Sequence, residues 1–231
     1  MIQALIFDFD GLILDTEVSA LRSWQEIYQE YNHELPLDQW VLRIGASAEM
    51  FDPCAHLASL VGQPVPCAEI EARRSQRHLD LIAQEVALPG IETMIAAAQR
   101  QALKVGLASS SPRSWVLRHL SRLGLHAHFD TIKCRDDVTR LKPYPDLYLA
   151  ALEALEVRAE QAIALEDSPN GVTAAQRAGI FCVAVPNEVT GRLPLDHADL
   201  RLASLADLSL PQLIALVEER QQGRTEQIVQ P

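Results

Sequence analysis

Apolar and polar residues follow two different patterns along the chain. From residue 91 onward, short runs rich in branched apolar residues alternate with segments of helical periodicity. Strands are predicted at 3–9, 103–108, 129–134, 162–166 and 181–185, and helices at 91–101, 113–122, 145–156 and 169–178. Strands that alternate with helices in this way predict a parallel sheet that is covered by helices on both faces.

The segment after the first predicted strand differs from the rest of the chain in amino-acid composition. Residues 18–85 contain many helix formers and several prolines, and no strand is predicted there. Amphipathic helices are predicted near 18–32, 37–44, 47–61 and 67–85. The sequence therefore predicts an α/β fold, in which a Rossmann-like parallel sheet core carries an inserted all-helical cap. The predicted core domain comprises 1–16 and 88–231, the cap comprises 17–87, and the last residues, 222–231, are predicted to fray.

The composition and net charge of the chain argue against some classes of binding partner. The 231 residues carry a formal net charge of −11, and such an acidic surface argues against nucleic acid. Neither a signal-type segment nor an apolar run of membrane-spanning length is found, so we expect a cytoplasmic protein that does not bind membranes. We expect this protein to be a monomer or weak dimer. The scattered cysteines are interpreted as reduced thiols, and the three tryptophans as packing residues. The cysteines are Cys54, Cys67, Cys134 and Cys182.

Polar side chains follow four of the predicted strands. These segments are Asp8-Phe9-Asp10-Gly11, Ser109-Ser110-Ser111, Leu141-Lys142-Pro143 and Glu166-Asp167-Ser168. Ligands of open parallel sheets bind at the carboxyl ends of the strands, so we expect these side chains to converge. Converging acids need a counter-charge, and oxygen ligands alone favour Mg²⁺. A lysine and a hydroxyl beside them suit a phosphoryl group.

Four motifs in this order closely resemble those of the haloacid dehalogenase-like superfamily. They read DFDGLILDTE, LASSS, LKPYPDLY and LEDSPNG. The arrangement is similar to the branch with a helical cap after the first motif, which holds β-phosphoglucomutase-like and phosphoglycolate-phosphatase-like proteins. The resemblance implies that Asp8 is the nucleophile and forms an aspartyl-phosphate. It implies that Asp10 is first the general acid and then the base, and that its backbone carbonyl binds Mg²⁺.

The resemblance also implies roles for the other motif residues. The implied metal set is Asp8, Asp10, Asp167 and Glu166, with Glu166 either a ligand or a partner of Asp167. The implied phosphate-binding residues are Ser109, Ser110, Lys142 and Gly11. Asp15 is interpreted as structural support at the hinge into the cap.

The function predicted from these residues is Mg²⁺-dependent hydrolysis of a small phosphorylated metabolite. The alternative is a β-phosphoglucomutase-type isomerase, but such mutases carry a histidine where Ala20 stands and an arginine where Ala48 stands. A dehalogenase lacks the second motif aspartate. A phosphonoacetaldehyde hydrolase needs a cap lysine, and 18–89 contain none. A non-catalytic binding module would be expected to have lost a motif acid, and none is lost.

Overall fold

A six-stranded parallel sheet forms the centre of the protein. The computed structural model describes residues 1–45 and 51–229. The strands are β1 (Ala4–Phe7), β2 (Lys104–Ala108), β3 (Thr131–Lys133), β4 (Ala162–Glu166), β5 (Phe181–Ala184) and β6 (Leu200–Arg201). Their order is β3-β2-β1-β4-β5-β6, which places β1 between β2 and β4. The predicted α/β fold with a Rossmann-like parallel sheet is confirmed.

Nine helices surround this sheet or follow β1 in the described part of the chain. The helices between β1 and β2 are α1 (Thr16–Glu30), α2 (Leu37–Gly45), α3 (Pro53–Val61), α4 (Cys67–Gln84) and α5 (Ile91–Arg100). The remaining helices are α6 (Arg113–Arg122), α7 (Asp146–Leu155), α8 (Pro169–Arg177) and α9 (Leu210–Val229). Every predicted helix is present, although part of the one predicted at 47–61 lies outside the described residues.

Two elements at the end of the chain were not predicted from the sequence. β6 is only two residues long, and α9 follows it. The expectation of a frayed end is wrong for residues 222–229, because α9 continues to Val229. The buried residues Leu210, Leu213 and Val217 pack α9 against the sheet. Because adding residues to a helix that has already formed costs little free energy, the helix continues beyond this packed part. Residues 230–231 lie outside the described part.

Strands β1, β2, β4 and β5 are buried on both faces, which explains their mostly apolar sequences. Leu5 and Phe7 of β1 pack in one hydrophobic cluster with residues of α5, α6 and α9. Ala4 and Ile6 point to the other face and pack with residues of α7 and α8. Successive side chains of a strand alternate between faces, so these four strands contribute to both halves of the core. The sheet is thereby a rigid platform for the loops at its carboxyl edge.

Helices α1–α4, called here the helical block, pack around their own apolar cluster. Trp24, Tyr28 and Ile70 are buried there, together with Val189 from the turn after β5. The two chain segments that join the block to the core lie side by side, because the backbone N–H of Leu88 donates to the carbonyl oxygen of Ile13 at 2.9 Å. The division into core and cap domains at residues 16–17 and 87–88 stays a prediction.

Two of the four cysteines form a disulfide, so the prediction of reduced thiols is wrong for Cys54 and Cys67. Cys54 is the second residue of α3 and Cys67 the first of α4, and the packing of these helices brings their Cα atoms to 5.8 Å. Cys134 and Cys182 are free and buried, as expected. Disulfides are typical of oxidising compartments, and the cytoplasmic location stays a prediction. In residues 1–45 and 51–229, no helix combines the length and apolarity needed to cross a membrane.

Candidate active site

Asp8 faces a buried lysine at the carboxyl end of β1. The Lys142 ammonium donates to Asp8 Oδ1 and, at 2.6 Å, to Glu166 Oε1. Only 7 % of the lysine side chain is exposed, and the Glu166 side chain is fully buried. Because β4 lies next to β1, its final residue Glu166 reaches the same lysine as Asp8. This ion-pair network offsets part of the cost of burying the two carboxylates.

Three buried carboxylates meet at this point. Oxygen atoms of Asp8, Glu166 and Asp167 all lie within 4.8 Å of one another. Burial raises the pKa of Asp8 to about 8, although the Lys142 charge opposes this. Burial and then the Asp8 charge raise the pKa of Asp167 well above its usual range. Burial works against a charged Lys142, but Asp8 and Glu166 together raise the pKa of its ammonium. One lysine cannot offset three acids, so this oxygen-rich donor set fits a hard divalent cation.

Asp10 lies beside this cluster, and its carboxylate points to different partners. Its Oδ1 accepts a hydrogen bond of 2.9 Å from the indole nitrogen of Trp115, and its Oδ2 accepts one of 2.6 Å from the Ser111 hydroxyl. The Ser109 hydroxyl lies 3.5 Å from the same Oδ2. The two aspartates of one motif thus have separate surroundings. The metal role predicted for the Asp10 backbone carbonyl stays a prediction.

Both oxygens of Glu166 are occupied by protein donors. Besides Lys142, Oε1 accepts from the Tyr148 hydroxyl at 2.6 Å, and Oε2 accepts from the backbone N–H of Asp167 at 3.2 Å. A Cβ atom added to Gly171 would lie 1.9 Å from Glu166 Cδ. The backbone of α8 therefore packs directly against this carboxylate and leaves no room for a side chain at position 171. These contacts favour a supporting role for Glu166, and its predicted metal binding stays a prediction.

Gly11 brings the backbone close to Asp167. Its φ is +84°, and a Cβ atom there would lie 2.1 Å from Asp167 Oδ2. The Asn187 amide nitrogen bridges the two residues, since it donates to the Gly11 carbonyl oxygen at 3.2 Å and to Asp167 Oδ2 at 3.3 Å. Glycine at position 11 therefore lets the backbone approach Asp167 closely. Its phosphate-binding role stays a prediction.

The three serines after β2 line the same edge. The Ser109 hydroxyl accepts from the backbone N–H of Ser111 at 3.0 Å. The Ser110 hydroxyl is buried without a hydrogen-bond partner among the described residues, and its carbonyl accepts from Arg135 Nε at 3.1 Å. An unpartnered buried hydroxyl in a cavity wall is suited to a ligand oxygen. The phosphate-binding roles of Ser109, Ser110 and Lys142 remain predictions.

A cavity of about 410 Å³ lies over these residues. The helical block contributes Thr16, Glu17, Ala20 and His78 to its wall. Asp15 does not line it and instead caps α1, accepting from the backbone N–H of Val18 at 3.0 Å, which confirms its structural role.

Sequence reasoning missed several residues of the site. These are His78, Trp115, Arg135, Tyr148 and Asn187. Trp115 packs against the core as expected, and its indole nitrogen also donates to Asp10, a contact that was not predicted. A signal for it was present, since Trp115 lies in the first turn of the helix that follows the serine motif. Asn187 follows β5, another strand end at the same edge, and gave a weaker signal of the same kind.

Comparisons with known proteins agree with this site. The haloacid dehalogenase-like hydrolase family pattern matches residues 5–185. The chain is 45% identical over 214 residues to YhcW of Bacillus subtilis (strain 168), covering 93% of this chain and 97% of that protein. It is 32% identical over 216 residues to validoxylamine A 7'-phosphate phosphatase of Streptomyces hygroscopicus subsp. limoneus, covering 92% and 99%.

A solved structure is similar over nearly the whole chain. A variant of CbbY from Rhodobacter sphaeroides, crystallised with xylulose-1,5-bisphosphate, has a TM-score of 0.67 and 30% sequence identity, and the match covers 92% of this chain and 99% of that one. The matched family pattern includes all four strand-end motifs, from Asp8 to Asp167. From its sequence pattern, its fold and the convergence of these motifs, this chain belongs to the haloacid dehalogenase-like hydrolases.

Proposed function

We propose that this hydrolase is a Mg²⁺-dependent phosphatase that acts on a small phosphorylated metabolite through an aspartyl-phosphate on Asp8. The observation that carries the proposal is the pairing of buried Asp8 with Lys142, at the floor of a cavity that also holds Asp10 and Asp167. The relative named validoxylamine A 7'-phosphate phosphatase and the similar structure in complex with xylulose-1,5-bisphosphate support a phosphorylated carbohydrate as substrate class.

The carboxylate cluster supports the metal requirement. The residues that would hold Mg²⁺ are Asp8 and Asp167 through their side chains and Asp10 through its backbone carbonyl. When bound, the ion would offset the charge of these acids and of the phosphoryl oxygens. The bond from Asn187 orients Asp167, and Gly11 leaves room for that carboxylate.

The chain's own residues account for each bond change. Lys142 and Ser109 would hold the phosphoryl oxygens while an Asp8 oxygen attacks phosphorus. The bond from phosphorus to the leaving oxygen breaks as Asp10 gives that oxygen a proton. Asp10, now ionised, then takes a proton from water, and the water oxygen attacks phosphorus. The bond from phosphorus to Asp8 breaks, which releases inorganic phosphate and restores both aspartates.

The cavity size supports a small substrate. A volume of about 410 Å³ is in the range of small-molecule sites, and the wall contributed by the helical block would limit access by a folded protein. We propose that residues 17–87 act as a lid domain over the core, hinged beside Asp15 and at Gly90. The φ of Gly90 is +89°, and a Cβ atom there would lie 2.4 Å from the Ala206 nitrogen. Enclosure of this kind excludes bulk water from the reaction.

The direct test is phosphate release from a panel of sugar phosphates, glycolate phosphate and nucleotides in the presence of Mg²⁺. Asp8→Asn is nearly isosteric and cannot attack phosphorus, so we expect at least a thousandfold loss of turnover with an unchanged far-ultraviolet spectrum, on the order of what removing a nucleophile costs. Asp38→Asn, an exposed acid of α2, is the matched control and should keep wild-type activity. Asp8→Asn activity within tenfold of wild type would show that Asp8 is not the nucleophile.

The mutase alternative is separated by the fate of the phosphoryl group. Ala20 lines the cavity and has no group that could delay Asp10, and Ala48 lies outside the described residues. We therefore expect phosphate release rather than return of the phosphoryl group to a sugar. The assay supplies β-glucose 1-phosphate with a trace of the 1,6-bisphosphate. Glucose 6-phosphate that accumulates faster than free phosphate would overturn the hydrolase proposal.

A further inference from the structure

Trp115 is held between the site and two histidines. Its ring lies 4.4 Å from the His119 ring in an edge arrangement and 6.3 Å from the His78 ring, measured between centroids. His119 comes from the same helix, whereas His78 comes from α4 of the helical block. Contacts on both sides fix the indole, so its N–H points at Asp10 Oδ1 with a bond of 2.9 Å.

The two partners of the Asp10 carboxylate differ in what they can do. An indole N–H only donates, so Oδ1 must be an acceptor whenever this bond is present. A serine hydroxyl both donates and accepts, so Ser111 at 2.6 Å can follow a change of protonation on Oδ2. A proton on Asp10 is consequently carried by Oδ2, on the side of the Ser109–Ser111 wall.

We propose that Trp115 is a positioning residue whose indole N–H reserves Oδ1 of Asp10 as an acceptor, so that Oδ2 is the oxygen that delivers and recovers the catalytic proton. This inference rests on the proposed function. In the first step, the proton on Oδ2 passes to the leaving oxygen as that oxygen parts from phosphorus, and Ser111 then donates to the ionised Oδ2. In the second step, Oδ2 takes a proton from the attacking water. Trp115 keeps its bond in both states.

The experiment removes the N–H and retains an aromatic ring, with Trp115→Phe. The probes are phenyl phosphate and p-nitrophenyl phosphate, assayed with Mg²⁺. They are similar in size, but p-nitrophenolate departs readily without a proton, whereas phenolate depends more on a general acid. Because kcat/KM reports only the steps up to the first irreversible one, it isolates the attack by Asp8 and the departure of the phenol.

We expect Trp115→Phe to lower kcat/KM for phenyl phosphate by about tenfold to a hundredfold, as for loss of a hydrogen bond to a charged group. For p-nitrophenyl phosphate the loss should stay below about threefold, because general acid catalysis contributes little there. A merely structural role of Trp115 would lower both values together. Trp24→Phe, at a buried tryptophan of the helical block that does not line the cavity, is the control and should change neither value.

If Trp115→Phe does not fold, 3-benzothienylalanine at position 115 replaces only the N–H by sulfur, and the same ratio of losses is expected. Equal losses for the two probes, or no loss for either, would overturn this inference and leave the phosphatase proposal standing. Absence of phosphate release from both probes by the wild-type enzyme, under conditions where the substrate panel is also inert, would overturn the proposed function and this inference with it.

Discussion

Replacing Gly171 with alanine has two opposite effects on the stability of the protein: a gain in helix propensity and a cost from steric overlap. Gly171 lies in the first turn of α8, where alanine would ordinarily stabilise the helix by up to about 1 kcal/mol. Here the added Cβ atom would lie 1.9 Å from Glu166 Cδ and 2.0 Å from its Oε1, far inside contact distance. Glu166 is not free to move away, because Lys142 and Tyr148 hold Oε1, and the Asp167 backbone donates to Oε2.

The magnitudes decide the sign of the effect. Overpacking a core costs about 1–3 kcal/mol, and weakening a hydrogen bond to a charged group costs about 1.5–3 kcal/mol. Against a gain of at most about 1 kcal/mol, we expect Gly171→Ala to destabilise the protein by about 2 kcal/mol or more. For a chain of this size that corresponds to a fall in Tm of about 4–8 °C. Activity should fall as well, since a displaced Glu166 no longer holds Lys142 in place.

The measurement is thermal unfolding followed by circular dichroism, together with phosphate release. Gly191→Ala is the matched control, because the nearest atom to its added Cβ is Pro186 Cβ at 3.9 Å. We expect that control to stay within about 0.5 kcal/mol of wild type. A Gly171→Ala protein that melts at or above the wild-type Tm would refute the reasoning, because Glu166 would then have to be mobile.

Two further outcomes are expected. Chelation with EDTA should abolish phosphate release, excess Mg²⁺ should restore it and Ca²⁺ should inhibit, since the larger ion relaxes the tight octahedral geometry; full activity in excess chelator would contradict the metal site. Reduction with dithiothreitol should lower Tm, because a bridge over 13 positions between Cys54 and Cys67 contributes about 3 kcal/mol by constraining the unfolded chain. The double variant Cys54→Ser/Cys67→Ser should be insensitive to the reductant, and a wild-type Tm unmoved by dithiothreitol would show that the bridge does not contribute.

The sequence predicted most of the sheet because strands β1, β2, β4 and β5 are buried on both faces, so that each is a short run of mostly apolar residues. The same reasoning failed for β6, where Leu200 is buried and Arg201 is exposed, so that no run exists. It failed for the disulfide for a different reason. Cys54 and Cys67 meet only because α3 packs on α4, and no local pattern encodes the contact between two helix starts.

The site shows the same division between local and distant causes. The sequence predicted that Asp8, Lys142 and Glu166 lie close together, because in a parallel sheet the carboxyl ends of all strands lie at one edge. The contact made by Tyr148 could not be predicted, although this residue lies inside a recognised motif. Its hydroxyl reaches Glu166 only for one rotation of α7 about its axis. His78 could not be placed either, since its position depends on how the helical block sits on the core.

Two aspartates that are two residues apart are kept chemically distinct by the charge of their partners. Burial raises the pKa of Asp8 to about 8, and the ammonium of Lys142 opposes this shift by favouring the carboxylate, the form in which a nucleophile must be. Asp10 is held by two neutral donors, Trp115 and Ser111, which orient a carboxylate while imposing no full positive charge on it. A group that must gain and lose a proton within one turnover is better served by such partners.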